Sequence, residues 1–96
     1  LHLRNEGIVM VVVNVDSQRQ LKAVEVVTRG LVYTPSRSDF AGNVKRRVTD
    51  LIKHLLARHP YERVLIKSHI RHAVLDYVYK TTGRRPMIVP VILDGD

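Results

Sequence analysis

Apolar residues are distributed along this chain in two rhythms, one of period two and one close to period 3.6. From Gly7 to Asp16, "GIVMVVVNVD", the run is rich in β-branched residues and apolar on both side-chain parities. Val9, Val11, Val13 and Val15 share one parity, and Ile8, Met10 and Val12 share the other. That pattern predicts a strand covered on both faces. The polar, turn-prone "DSQRQ" follows, and strand chemistry resumes from Leu21 to Tyr33. The two runs are therefore expected to pair as an antiparallel hairpin with a loop of several residues, with Gly30 marking a bulge or bend. A last apolar run, Pro86 to Leu93, is too short for a packed helix and rich in Val and Ile, so it predicts a third strand. In it Met87, Val89, Val91 and Leu93 oppose Ile88 and Ile92. Pro86 suits a strand's first position, whereas Pro90 is tolerable only at an edge or a bulge, where no ladder donor is needed.

Between these runs the period changes. "TPSRSD", Thr34 to Asp39, reads as loop and helix start, with Ser36 or Ser38 as caps and Asp39 near the positive end of the dipole. Phe40, Val44, Val48, Leu51 and Leu55 then recur on one stripe of a helix, expected to end near Arg58 ahead of Pro60. A second helix is expected from about Glu62, with Ile66, Ile70, Ala73 and Tyr77 on its stripe and Gly83 as its left-handed terminator. A link of two to three residues predicts antiparallel neighbours.

The order is β-β-α-α-β, and the fold class is α+β: a two-layer sandwich of a three-stranded sheet with two antiparallel helices on one face. Two helices cover only one face, yet both faces of the first and third strands are apolar. The uncovered patch is larger than monomers usually leave open, so a homodimer is expected. Its candidate interface residues are Ile8, Met10, Val12, Met87, Ile88, Val89, Pro90 and Ile92.

Length and composition narrow the class. Ninety-six residues make one small domain without room for a second site-bearing lobe. No apolar stretch approaches the roughly 20 residues of a membrane-spanning helix, so no membrane partner is expected and the chain reads as soluble. It begins at Leu1 without an initiator Met or a signal-like region, and reads as a piece of a longer protein. There is no cysteine, which removes disulfides and thiolate metal sites and fits a reducing cytoplasm. Sixteen Lys and Arg against nine Asp and Glu give a net charge of +7, a balance that favours polyanions. The cations divide among the first helix (Lys45, Arg46, Arg47, Lys53, Arg58), the second (Arg63, Lys67, Arg71, Lys80) and the pair Arg84 and Arg85. They form no obvious single stripe, and ordinary solvation of two helices accounts for many of them. Arg84, Arg85, Arg71 and Lys67 are the candidate contacts for a polyanion such as RNA. The adjacent arginines also stand where exposed helix-end carbonyls favour cations.

Three segments in this order, "EGIVMVVVNVD", "TRGLVY" and "TGRRPMIVPVI", with a helical pair between the second and third, resemble the C-terminal domain of ribonuclease J, a bacterial RNase of the metallo-β-lactamase and β-CASP superfamily. The likeness runs from about Arg4 to Leu93. It implies a cytoplasmic parent enzyme with 5′-to-3′ exonuclease and endonuclease activity on RNA, using zinc and working as a dimer or tetramer. It also implies that the metal ligands, with their His-x-His-x-Asp-His signature, lie in an upstream catalytic core. That signature does not occur in this sequence.

The remaining candidates for independent chemistry are weak. His69, His72 and Asp76 share a helix face and could in principle hold a divalent metal, but two histidines and one carboxylate at such spacing are common by accident. The other acids show no acid/base pairing, the serines no nucleophile elbow, and the scattered glycines no phosphate loop. The expectation is thus a non-catalytic C-terminal domain, with no cofactor or metal of its own, that supports oligomerisation and the positioning of RNA. Its expected partners are RNA, a second copy and the catalytic domains of the same parent chain. The alternative is a stand-alone small basic nucleic-acid-binding domain.

Overall fold

A computed structural model describes residues 6–31, 40–58 and 62–95. In chain order the elements are β1 (Ile8–Val15), β2 (Leu21–Arg29), α1 (Phe40–Arg58), α2 (Arg63–Thr82) and β3 (Met87–Asp94). The sheet order is β2-β1-β3, so the strand with two apolar parities is the central one. β1 pairs β2 antiparallel, with Val11 opposite Val26, and β3 parallel, with Val11 opposite Pro90. This is the expected α+β arrangement. The helical pair supplies the long connection that a parallel pairing requires.

The hairpin loop is held by Asp16, whose Oδ1 accepts from the backbone N–H of Gln18 at 2.9 Å and of Gln20 at 2.8 Å. Arg19 takes a left-handed φ of 62° there. The register shift lies beside this loop, between Asn14 and Val15, where Lys22 is the extra residue of β2. Gly30 forms the expected bend, with φ 69°, directly after β2, which ends at Arg29; Val32 and Tyr33 of the expected run lie outside the described residues. Close by, Gly7 has φ 99°, and a Cβ there would stand 2.8 Å from the backbone N of Leu31. The start of β1 and the exit from β2 approach too closely for any side chain.

α1 buries Phe40, Val44, Val48, Ile52 and Leu55, and α2 buries Ile66, Ile70, Val74 and Val78. Leu51, Ala73 and Tyr77, expected on these stripes, sit half-buried at their margins. The rings of Phe40 and Tyr77 lie 5.9 Å apart, which places the start of α1 against the end of α2 and makes the pair antiparallel. Four residues separate the helices. Gly83 closes α2 in the left-handed region, φ 76°, donating its N–H to the carbonyl of Tyr79 at 2.8 Å. The candidate caps Ser36 and Ser38, and Asp39 expected near the positive end of the dipole, lie outside the described residues. Beneath the helices Val9, Val11 and Val13 are fully buried, with Val15, Val24, Ile88 and Ile92 beside them. Each such side chain contributes about 1.5–3 kcal/mol of transfer free energy. No polar side chain is buried among the described residues.

Pro90 sits on an edge strand, as its missing N–H requires. The Met87 N–H donates to the Gly7 carbonyl at 2.9 Å and that of Gly95 to Val15 at 2.7 Å, so odd-numbered residues of β3 bond inward to β1. Even-numbered ones, Pro90 included, point their backbone groups to the open edge.

Candidate functional site

Paired residues in adjacent strands share a face, so the register defines the surface opposite the helices. It carries Ile8, Met10 and Val12 of β1, Val27 of β2 beside Met10, and Met87, Val89, Val91 and Leu93 of β3. Met87 is 65% exposed and Leu93 49%, against 7% for Ile88 and 3% for Ile92. The result is a continuous apolar patch across all three strands. Asn14 lies at one end, and Glu25 and Arg29 are exposed on its β2 margin.

This geometry divides the eight interface candidates. Ile8, Met10, Val12, Met87 and Val89 lie on the open face. Ile88, Pro90 and Ile92 do not; they are buried on the opposite side, since β3 pairs in register with β1 and their partners Val9, Val11 and Val13 face the helices. Val27, Val91 and Leu93 belong to the patch in their place. Strand parity flags the last two, but only the hairpin register brings Val27 next to Met10.

The four candidate RNA contacts are likewise separated. Lys67 is half-buried and Arg71 exposed, on one stripe with Arg63 at steps of four residues, or roughly 6 Å along the axis. Arg63 caps the sheet edge: its Nη2 donates to the Ile92 carbonyl at 3.1 Å, and its Nε lies 3.4 Å from Asp94 Oδ2. Arg84 and Arg85 lie beyond the other end of the helix, roughly 18 Å of helical rise from Arg71. The Arg85 guanidinium stacks over the Tyr79 ring, 4.6 Å from its centroid. A second stack, Arg47 over Tyr77 at 4.5 Å, stands between the helices. Neither stack is visible from spacing alone, because each joins residues from different elements or across a turn.

His69, His72 and Asp76 do share the outer side of α2, but Asp76 pairs with Lys80 at 3.2 Å. Among the described residues no three His, Cys, Asp or Glu side chains come together as a metal site. No helix among them is long and apolar enough to cross a membrane.

Comparison with known proteins gives this geometry a family. The chain is 34% identical over 95 residues to ribonuclease J of Thermus thermophilus, covering 98% of this chain and 15% of that protein. It is 28% identical over 94 residues to ribonuclease J2 of Bacillus subtilis, covering 96% and 17% respectively. Ribonuclease J 2 of Staphylococcus aureus is 30% identical over 92 residues. The chain therefore spans about a sixth of the length of the relatives it matches. The model of the ribonuclease J C-terminal domain matches residues 1–95, and the chain belongs to that family.

Proposed function

We propose that this chain is an accessory domain of a cytoplasmic ribonuclease J-type enzyme, without an active site of its own. It joins subunits through the open face of its sheet and helps to place RNA relative to a zinc-dependent catalytic region carried elsewhere in the parent protein. The observation that carries this reading is the patch of Ile8, Met10, Val12, Val27, Met87, Val89, Val91 and Leu93, which the helices leave uncovered. Contiguous apolar surface of this kind marks a docking site rather than a solvent face.

The occupant of that face is a second copy of the domain. Glu25 and Arg29 lie on one margin of the patch, so a two-fold arrangement can set each acid near the partner's base while the valines and methionines meet at the centre. Facing sheets about 10 Å apart would bury both patches. The net charge of +7 supports attraction to RNA, the substrate class of the ribonucleases that the chain resembles.

The non-catalytic part is tested by incubating the purified chain with end-labelled RNA and zinc or manganese. The RNA is expected to remain intact. Cleavage that follows the folded chain through purification, and disappears in His69→Ala or His72→Ala, would contradict it.

A further inference from the structure

We propose that the cleft lined by His72, Leu75, Asp76, Tyr79 and Arg85 is a stacking site for a single nucleobase of unpaired RNA. This deepens, and rests on, the RNA-positioning reading above. The cleft has a volume of about 230 Å³ and lies on the outer side of α2 near its C-terminal end. His72 and Tyr79 are seven residues apart and so on nearly the same side of the helix, with half-buried Leu75 between them as an apolar floor.

The arginine is placed by the turn that ends the helix. Gly83 takes its left-handed conformation, Thr82 Oγ1 accepts from the Arg84 N–H at 3.0 Å, and the Arg85 N–H donates to Glu6 Oε1 at 2.6 Å. Held at that point, Arg85 doubles back over the ring of Tyr79, a residue that is 46% exposed. Tyr77 serves a different purpose: it stands between Phe40 and Arg47 and is half-buried at the core margin.

The chemistry selects a base over a phosphate. Phosphate sites are lined by donors and cations, whereas here a leucine forms the floor and the Asp76 carboxylate, 3.2 Å from Lys80, stands at the side. That carboxylate repels a phosphate but accepts from the amino or imino groups of a base edge. The aromatic ring, the imidazole and the planar guanidinium are the three side-chain types on which unpaired bases stack. Base faces are open to stacking, and Watson–Crick edges to hydrogen bonding, only in unpaired strands, so duplex RNA is not the ligand.

The test compares a labelled single-stranded RNA octamer with an octamer of the same length whose bases are removed, by fluorescence anisotropy over a salt series. The base-bearing strand is expected to bind more tightly. Tyr79→Ala should weaken it about tenfold, while leaving the abasic strand and the salt slope unchanged. Tyr79→Phe should retain affinity, and circular dichroism of each variant should match the parent. Equal binding of the two strands, or full affinity in Tyr79→Ala, overturns the stacking site and leaves RNA positioning standing. Failure of both strands to bind even at low salt overturns both.

Discussion

The Arg63 guanidinium donates to the main-chain carbonyl of Ile92 at 3.1 Å while reaching the Asp94 carboxylate at 3.4 Å, so the first turn of α2 closes one end of the open β3 edge. Pro90 removes a donor from the middle of the same edge. Together they leave β3 a poor template for an incoming strand. This favours association through the sheet's face over association through that edge.

Arg63→Ala should therefore cost about 1 kcal/mol, the net worth of a charge-assisted bond to a partly buried carbonyl with a discount for the exposed ion pair. Urea unfolding of the variant reads this as a lower midpoint with unchanged slope. A midpoint equal to the parent's would show that the contact contributes nothing.

Gly7→Ala should be much more damaging. The new Cβ would meet the Leu31 N at 2.8 Å and the Gly30 carbonyl carbon and oxygen at 2.9 Å, all backbone atoms that cannot swing away, at φ 99°. Steric and conformational strain together predict a loss of about 2–4 kcal/mol. Gly30→Ala, whose new Cβ would stand 3.7 Å from the Gly7 Cα, should cost about 1 kcal/mol from its positive φ alone. Thermal melts of the two variants in the reverse order would contradict the close approach.

The two strand parities are separated by a pair of substitutions. Val12→Lys places a cation on the open face directly opposite Glu25, a favourable cross-strand pair, so the domain should fold and lose self-association. Ile92→Lys buries a charge at a position 3% exposed and should cost at least about 3 kcal/mol, enough to unfold a small domain. Circular dichroism reads the first as native and the second as lost. Native spectra for both would mean that the faces are misassigned.

Much of this arrangement is legible in the sequence because its signals are local. Alternating valines announce β1, the spacing from Phe40 to Leu55 announces α1, and Gly83 marks the end of α2. What is not legible depends on register. Both parities of β1 are apolar, so nothing in "GIVMVVVNVD" says which meets the helices. Ile88, Pro90 and Ile92 are assigned to the covered side only by their pairing with Val9, Val11 and Val13. Gly30 is a bend, one of the two forms its place in the sequence allows, whereas the bulge at Asn14 and Val15, with Lys22 as the extra residue beside the Asp16 turn, carries no glycine to announce it. The Arg85–Tyr79 stack needs the chain to reverse at Gly83, which spacing along a helix does not encode.

Sedimentation equilibrium of the purified chain tests the central claim most directly. A face built of Ile8, Met10, Val12, Val27 and the odd-numbered residues of β3 predicts a reversible dimer at high micromolar concentration, with Val12→Lys shifting it to monomer. A strictly monomeric species at that concentration would contradict the account.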